Sequence, residues 1–333
     1  MDRTLCEQIP LVCPACRARL EAEGPGAVHS PRLSAAAVDV SGSDGELIHG
    51  TLACPAAGGC GREYPVLDGI PILVVDLDDY LRDERATILR RRDLPPWADD
   101  LLDLSLDDTD AEQRRARILS AYGAAYPTPP HPLLAPLAEG LPAFLQKCLA
   151  THSPAPRAGV IRRGLDAGCA TGGFTGLLSH HVDVAVGIDL AFDHVRRARE
   201  LAMPTATGRR PSFLVASANE PVFDDGTFDT ILAVNILDAN RDPRRLLGAL
   251  GRSLRPGGLF ILTTPFEYTT ALTELPDRIE EDELLETLAP NYEVIEDADD
   301  VPWHVPVSAR HHDVYLVRAI AARKREHVPE GIR

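Results

Sequence analysis

The second half of the chain alternates apolar runs of strand length with amphipathic segments of helix length. The apolar runs occupy residues 159–168, 183–190, 212–219, 226–237 and 257–265. Helical patterns separate some of them, at 173–181, 194–201 and 242–254. Asp242 is placed to cap the last helix and Pro243 to begin it. This alternation predicts an α/β fold with a doubly wound parallel sheet.

The first half of the chain divides into two parts with different patterns. Residues 62–76 form a strand-like apolar run with a turn at Asp68-Gly69. Acidic residues dominate 76–110, and helical patterns follow at 111–126 and 137–150. Tyr122 and Tyr126 share one helix face, which is typical of packing and would also suit a lid over a pocket. We therefore predict an N-terminal domain over 1–78, a linker and helical lid region over 79–157, and the α/β domain over 158–325.

Length, composition and net charge favour a globular protein over a membrane-spanning or nucleic-acid-binding one. At 333 residues the chain suits two domains, and its 44% hydrophobic and 25% charged residues are normal for a globular protein with a buried core. No apolar run reaches the roughly 18–20 residues of a membrane span. The first residues lack a signal-peptide pattern, so a cytoplasmic protein without a membrane partner is expected. The net charge of −16 makes nucleic acid a poor default partner, without excluding it, because phosphate binding needs a basic face.

Four of the seven cysteines lie in two pairs near the N-terminus. Cys13 and Cys16 have the usual CxxC spacing, whereas five residues separate Cys54 from Cys60. Without an export signal, paired cysteines indicate a zinc site rather than disulfides, with four free thiols as the alternative. Four thiolates would fill a tetrahedral coordination sphere and leave no position for water. The predicted metal, Zn²⁺, is therefore structural rather than catalytic.

The segments CPAC, LACP and CGREYPVLDGIPIL carry a resemblance to a known family. Over about residues 8–75, they resemble the small zinc-ribbon subunit that activates several tRNA and protein methyltransferases. The resemblance implies a small β-rich zinc-ribbon domain. This sequence departs from the family in its wider second cysteine pair and in a long insert between the pairs.

The segment LDAGCATGGFTG, residues 165–176, predicts a tight turn that brings backbone close to a ligand. A dinucleotide cofactor would require glycine at the position that Ala170 occupies, and no Gly-Lys-Ser/Thr follows to form a phosphate-binding P-loop. S-adenosylmethionine carries no phosphate and tolerates alanine there. It also needs an acid after the second strand for its ribose hydroxyls. Asp189, 17 residues after Gly172, meets that need.

The order and spacing of LDAGCATGG, VGIDL, FDTILAVNILD and LRPGGLFILTTP resemble the class I S-adenosylmethionine-dependent methyltransferases over about residues 160–320. The resemblance implies a Rossmann-like sheet of seven strands, with 292–299 and 311–321 as the sixth and seventh. The cofactor-binding residues that it implies are Asp166, Gly168, Ala170, Gly172, Asp189, Ser217, Ala218 and Asn235.

The resemblance also assigns roles within that set. Asp166 and the glycines would hold the methionine part of the cofactor, and Asp189 the ribose. Ser217 and Ala218 would border the adenine, although Ser217 stands where the family often has aspartate. Asn235, at the end of the fourth strand, would face the sulfonium and the substrate.

Candidate catalytic groups lie after the fifth strand and before the last one. Tyr268 follows the fifth strand, and His304 and His311 fall in a segment that we interpret as a loop. A histidine here could act as a base for an N–H or O–H nucleophile, because its ordinary pKa is near neutral. Each of these side chains also suits an ordinary surface position.

We therefore predict an S-adenosylmethionine-dependent methyltransferase fused to a zinc ribbon. The expected acceptor is an N, O or S nucleophile on a small-molecule or peptide-derived substrate. The alternatives are methylation of tRNA, rRNA or a protein, and a non-catalytic subunit that binds the cofactor. An NAD-dependent oxidoreductase is disfavoured by Ala170. The sequence leaves the oligomeric state open.

Overall fold

The structure of the protein is a computed structural model, and it describes residues 5, 8–18, 21–22, 47–89, 134–155, 159–205, 208–220, 222–269, 273–308 and 310–326. These residues form one sheet with helices packed on both faces. The strands are β1 (Glu21–Ala22), β2 (Gly50–Ala53), β3 (Glu63–Leu67), β4 (Ile70–Leu73), β5 (Arg163–Ala167), β6 (Val184–Asp189), β7 (Ser212–Ala216), β8 (Phe228–Val234), β9 (Leu254–Thr264), β10 (Tyr292–Ser308) and β11 (His311–Lys324).

Four of the helices among the described residues fall where the amphipathic patterns predict them, whereas those at Leu77–Leu89 and Leu284–Leu288 lie outside the predicted helical segments. The helices are α1 (Leu77–Leu89), α2 (Ala135–His152), α3 (Gly173–Ser179), α4 (Phe192–Leu201), α5 (Pro243–Ser253) and α6 (Leu284–Leu288), with a 3-10 turn at Leu275–Asp277. The predicted cap of α5 is confirmed, because the Asp242 carboxylate accepts a hydrogen bond from the Arg245 amide at 2.9 Å. The helix predicted over 137–150 is α2. The one predicted over 111–126, with Tyr122 and Tyr126, lies outside the described residues.

The strand order is β1-β2-β3-β4-β7-β6-β5-β8-β9-β11-β10. From β4 to β9 each neighbouring pair runs parallel, and β11 and β10 close the sheet as an antiparallel hairpin. Chain order reverses at β5, which lies between β6 and β8. The doubly wound α/β class is therefore confirmed, and the ends of β5 and β8 mark the switch point where such sheets bind ligands.

The seven strands predicted for the α/β domain correspond to β5–β11, but the sheet in the described part of the chain has eleven strands, because β1–β4 join it. Strands β1–β4 form an antiparallel ribbon, and β4 pairs in parallel with β7 through Ile72–Val215 and Leu73–Ala216. The buried IPIL run supplies the reason, since β4 is apolar on both faces and needs a covered, central position. The three-part division of the chain stays a prediction.

The hydrophobic core is continuous between the ribbon and the parallel strands. One cluster joins Leu52, Val66 and Leu73 of the ribbon to Val186 and Leu214 of the parallel strands, and all five are fully buried. The opposite face of the sheet is covered in part by α2, whose buried leucines pack near β9 and β11. Both faces of the central strands are thus buried, as a parallel sheet requires.

The segment before the last strand is a strand and not the loop that we interpreted it to be. β10 continues through Trp303 and His304 to Ser308, paired with β11. It contains Pro302 and Pro306, which an edge strand tolerates because one side of its backbone pairs with no other strand among the described residues. β9 pairs with β11 only from Arg318 onward, so the tip of the hairpin extends past the carboxyl end of β9. The hairpin tip therefore stands beside the switch point.

No helix among the described residues is long and apolar enough to span a membrane.

Candidate cofactor cleft and cysteine cluster

A cleft of about 560 Å³ opens at the carboxyl ends of β5, β6, β7 and β8. This volume suits a small organic ligand. It is lined by the turn after β5, by the residues that follow the other three strands and by one side chain of the hairpin. The lining residues are Gly168, Cys169, Ala170, Phe174, Ile188, Asp189, Leu190, Ala191, His194, Ala216, Ser217, Ala218, Asn219, Val234, Asn235, Ile236, Ala239, Asn240, Arg241 and Trp303.

The turn between β5 and α3 is built on left-handed backbone. Gly168, Ala170 and Gly172 have φ values of +75°, +45° and +82°. At Gly172 a Cβ atom would meet Ala198 and the Phe213 ring at 2.9 Å, so glycine is required both for its conformation and for space. Alanine at 170 adopts a conformation that costs an ordinary residue about 1–2 kcal/mol. The turn thus presents its backbone to the cleft.

Asp189, at the end of β6, holds this turn in place. Its carboxylate accepts hydrogen bonds from the backbone N–H groups of Ala170 and Ala191, each at 2.9 Å. The His194 ring lies 3.7 Å from the same carboxylate. With its side chain about 17% exposed, Asp189 still faces the cleft. Asp189, which is predicted to bind the ribose of the cofactor, therefore also orders the turn after β5, which is predicted to bind the methionine part.

Asp166 lies beneath the turn rather than in the cleft. It is 1% exposed, and its carboxylate accepts a hydrogen bond from the Thr175 hydroxyl at 2.6 Å. Burial raises the pKa of Asp166 to about 7, and the nearby charge of Asp189 adds to the rise. The side chain ties the end of β5 to the first turn of α3, which makes it a support of the loop.

Ser217, Ala218 and Asn219 form the wall of the cleft after β7. The Ser217 hydroxyl accepts a hydrogen bond from the Asn219 amide, and the Asn219 side-chain nitrogen donates to Asn240 at 2.9 Å. The Asn219 side-chain oxygen is buried and has no hydrogen-bond partner among the described residues. An unpaired buried acceptor is costly, so it points to a ligand that donates. Sequence reasoning missed Asn219, although its place three residues after β7 was a signal.

Asn235 directly follows β8 and has a φ of +51°. The Thr263 hydroxyl donates a hydrogen bond to the Asn235 side-chain oxygen at 2.6 Å. The same hydroxyl accepts a hydrogen bond from the Asn235 backbone N–H at 3.2 Å. The Asn235 side-chain nitrogen is buried and has no partner in the described part of the chain. Asparagine tolerates the left-handed conformation better than most residues.

An aromatic group closes the cleft on the hairpin side. Trp303 packs against Tyr315 on the paired strand, with ring centroids 5.1 Å apart. Both contact the cluster beneath α2, together with Phe174 of α3. Trp303 and Phe174 line the cleft itself, which gives it an apolar wall opposite the polar groups that follow β7 and β8.

The three candidate catalytic side chains are not among the residues that line this cleft. His304 follows Trp303 in a strand, so it points to the opposite face of the hairpin and stacks on His312, with 2.9 Å between ring nitrogens. Burial, and then the charge of His312, lower the pKa of His304. His311 is about 65% exposed and lies 3.2 Å from Asp313, and the Tyr268 hydroxyl donates to the Ile279 carbonyl. Their catalytic role stays a prediction.

The four N-terminal cysteines converge on one point. The ligand atoms of Cys13, Cys16, Cys54 and Cys60 all lie within 4.8 Å of one another. The Cys13–Cys60 and Cys16–Cys54 sulfur distances are 3.6 and 3.5 Å. Tetrahedral zinc with Zn–S bonds of about 2.3 Å would place its sulfurs about 3.8 Å apart. The donor set and its spacing therefore fit a tetrahedral tetrathiolate site.

Local backbone explains how the wider second pair still closes. Gly58 and Gly61 adopt φ values of +93° and +70°, and the Cys60 amide donates to the Cys54 sulfur at 3.3 Å. A backbone hydrogen bond from Ala18 lowers the pKa of Cys16, in the first pair, to about 7. Burial raises the pKa of Cys54, in the second pair, to about 12. The Tyr64 hydroxyl lies 3.1 Å from the Cys13 sulfur and would support a ligand there.

The cysteine cluster is anchored to the segment that follows the cleft wall after β7. Val12 donates a backbone hydrogen bond to the Val222 carbonyl at 2.8 Å, and Leu11 pairs with Phe223 as a single bridge. The Arg17 guanidinium donates to the Phe223 carbonyl and to Asp225. Only a few residues separate this anchor from Asn219, so the cluster and the cleft share one supporting segment.

Comparison with known proteins identifies the domain around the cleft. Residues 130–326, more than half of the chain, match the model of a family described as a methyltransferase domain. The chain belongs to this family. The expectation of a class I S-adenosylmethionine-dependent methyltransferase domain is thereby confirmed.

Individual relatives match shorter stretches. A chloroplastic tocopherol O-methyltransferase of Arabidopsis thaliana is 30% identical over 105 residues, which are 31% of this chain and 30% of that protein. A phosphatidylethanolamine N-methyltransferase of Cereibacter sphaeroides is 32% identical over 104 residues, 31% of this chain and 51% of that protein. The chain thus matches between about a third and a half of these relatives' length. The N-methyltransferase NodS of Bradyrhizobium japonicum WM9, solved with S-adenosyl-L-homocysteine, is 19% identical with a TM-score of 0.44, covering 62% of this chain and 98% of that one.

Proposed function

We propose that the protein binds S-adenosylmethionine in the cleft and transfers its methyl group to a small-molecule or peptide-derived acceptor. The observation that carries this proposal is the left-handed Gly168–Gly172 turn, locked by the Asp189 carboxylate at the switch point of a methyltransferase-family sheet. A turn of this kind offers backbone groups, and an acid at the next strand end offers acceptors for the two ribose hydroxyls.

The arrangement supports a definite orientation of the cofactor. The methionine part would lie on the turn above Asp166, and the ribose on Asp189. The adenine would lie between Ser217 and Ala218, where the unpaired Asn219 oxygen can accept from its amino group. Asn235 and Trp303 would then border the sulfonium and the acceptor. Such a site catalyses mainly by proximity and alignment, which explains why the proposal needs no base from Tyr268, His304 or His311.

The acceptor is proposed to be small because of the shape and charge around the cleft. Its volume of about 560 Å³ is shared with the cofactor, and its outer wall is aromatic. The net charge of −16 opposes RNA, since binding of a phosphate backbone is driven by basic residues. Methylation of RNA or of a protein is an outcome that the experiment below distinguishes.

We propose further that the four cysteines bind one structural Zn²⁺ and that the β1–β4 ribbon is a zinc-ribbon unit. The four thiolates complete the coordination and leave no open position, so no chemistry is assigned to the metal. The ribbon would act in cis as a cover, because its residues Leu52 and Val66 share one buried cluster with Leu214 of the sheet. A chain cut near residue 90 whose catalytic part stays soluble and fully active would refute this role.

The decisive experiment combines calorimetry with transfer of a labelled methyl group. Wild-type protein should bind S-adenosylmethionine and S-adenosylhomocysteine, and Asp189→Asn should weaken both by about 10- to 100-fold through loss of charge-assisted hydrogen bonds. Asp242→Asn removes the same charge at a helix cap outside the cleft and should leave binding unchanged. Label from the cofactor should then enter the small-molecule fraction of cells that carry this protein. Incorporation into RNA or protein alone, or binding of neither nucleoside, would overturn the proposal.

A further inference from the structure

The side-chain amide of Asn235 is fixed in one orientation by Thr263. The Thr263 hydroxyl accepts from the Asn235 backbone N–H at 3.2 Å and lies 2.6 Å from the Asn235 side-chain oxygen. That short distance is typical of an O–H···O bond, because N–H···O bonds centre near 2.9–3.0 Å. Thr263 is fully buried in β9, so its hydroxyl cannot turn away to water. The Asn235 amide oxygen is therefore paired with Thr263, and the amide nitrogen is the atom of this side chain that a ligand could still bind.

The nitrogen that remains is a donor without an acceptor. The Asn235 side-chain nitrogen is buried and has no hydrogen-bond partner among the described residues, yet Asn235 lines the cleft at the end of β8. An amide nitrogen carries two N–H donors and no acceptor. Leaving it unpaired destabilises the site, and an acceptor atom of a bound molecule would remove that cost. The site therefore suits a ligand atom with a lone pair that can accept a hydrogen bond from the Asn235 side-chain nitrogen.

From this we infer that the methyl acceptor of the enzyme is an oxygen nucleophile, a hydroxyl or a carboxylate, held by the Asn235 side-chain nitrogen. The inference rests on the proposed function, which puts Asn235 beside the sulfonium. An oxygen has a second lone pair, so it can accept from Asn235 with one pair and attack with the other. A neutral amine has a single lone pair, and a hydrogen bond from Asn235 would tie up the pair that must attack. A donor at this position thus favours oxygen over nitrogen.

The transfer balances without a further reactant. An oxygen lone pair forms the new O–CH₃ bond as the CH₃–S bond breaks, and the electron pair of the broken bond stays on sulfur in S-adenosylhomocysteine. A hydroxyl acceptor also gives its proton to solvent, whereas a carboxylate has none to lose. Asn235 keeps its protons throughout and binds the attacking oxygen. Thr263 is a positioning residue that acts through Asn235.

The first test identifies the atom that receives the methyl group. The wild-type enzyme is incubated with methyl-labelled S-adenosylmethionine and the small-molecule fraction of cells that carry it, and labelled products are analysed by mass spectrometry and NMR. Label in methyl ethers or methyl esters supports the inference. Label bound to nitrogen or sulfur overturns it and leaves the proposed function intact. If S-adenosylhomocysteine binds but no product is labelled, the proposed function fails and the inference with it.

The second test uses variants that change the donor and keep the backbone. Asn235→Asp replaces the donor by an acceptor and tolerates the left-handed φ, so it should lower kcat for the labelled acceptor about 10- to 100-fold while the affinity for S-adenosylhomocysteine changes less than threefold. Asn291→Asp makes the same charge change at an exposed position and should alter neither. A loss of cofactor affinity that matches the loss of kcat would assign the donor to the cofactor and overturn the inference.

Variants of Thr263 separate positioning from stability. Thr263→Val removes the hydroxyl at similar volume and frees the amide to turn over, so kcat should fall while Thr263→Ser, which keeps the hydroxyl, restores most of it. The KM for the acceptor should rise in the valine variant, because its oxygen loses a fixed donor. Equal kcat and KM in the valine and serine variants would overturn the assigned role of Thr263 in orienting Asn235.

Discussion

The cofactor cleft and the cysteine cluster lie on the same sheet, but backbone conformation forms the first and side chains form the second. The cleft is formed mostly by backbone, through left-handed residues and strand ends that the parallel topology brings together. The cluster is formed by four side chains that only the ribbon's turns bring within 4.8 Å. A backbone site tolerates changes in most side chains, whereas a side-chain site fails when one ligand is lost. The two sites should therefore respond very differently to single substitutions.

The largest effect is expected from loss of a cysteine ligand. Cys13→Ser should reduce the zinc content from about one ion per chain to near zero and abolish cooperative unfolding of the ribbon, because metal binding and folding are coupled in such sites. Elemental analysis and thermal unfolding measure both. Cys148→Ala, which alters a buried thiol in α2 outside the cluster, should keep its metal. A metal-free wild type with unchanged unfolding would refute the zinc assignment.

A glycine pair at the end of the turn after β5 and in the first turn of α3 tests how far backbone conformation alone fixes that turn. Gly172→Ala should cost about 2–4 kcal/mol of unfolding free energy, since it combines a left-handed φ with 2.9 Å approaches to Ala198 and Phe213. Gly176→Ala, one turn further along α3, meets no atom within 4 Å and should instead stabilise by about 0.5–1 kcal/mol. Urea unfolding of both proteins gives the comparison. Similar losses in the two variants would show that the turn is not the constrained element.

Asp166 should make the stability of the cleft depend on pH. Because its pKa is raised to about 7 in the fold, the native protein holds a proton that the unfolded chain has lost above pH 4. Stability should therefore fall as the pH rises from about 4 to about 7, by about 4 kcal/mol from this group. Asp166→Asn keeps the shape and should remove that part of the slope in urea unfolding. Identical slopes in variant and wild type would show that Asp166 is ionised throughout.

The smallest effect concerns the link between the two sites. The cluster contacts the 222–225 segment through Val12 and Arg17, close to the cleft wall at Asn219. Removing the metal with a chelator should weaken S-adenosylhomocysteine binding about fivefold, and added zinc should restore it. Arg17→Ala should reproduce part of the loss with the metal still bound. Unchanged affinity in all three measurements would show that the sites are independent.

The sequence predicted features that backbone pattern determines. Periodicity identified the α/β alternation, the cap at Asp242 and the strand ends that carry Asp189 and Asn235. It did not predict that the ribbon joins the same sheet, because the β4–β7 pairing depends on two distant segments that only the folded chain brings together. It also interpreted 301–312 as a loop, since Pro302 and Pro306 hide the alternation of an edge strand.

The side chains at the site show the same limit. Neither the unpaired Asn219 oxygen nor the Asn235 nitrogen can be deduced from residue type, because both depend on which neighbours take the other hydrogen bonds. The histidines illustrate the converse. His304 looked chemically suitable, but its neighbour Trp303 takes the cleft side of the strand, and alternation then turns His304 outward.

The short β4–β7 pairing has a consequence for how the protein must be assembled. If the ribbon is absent or has not yet docked, β7 presents a row of open N–H and C=O groups along an apolar strand. Such an edge is a template on which another chain can add a strand, and it leads to aggregation. We therefore expect docking of the N-terminal ribbon to limit self-association by covering this edge, and its timing should decide whether newly made chains remain monodisperse.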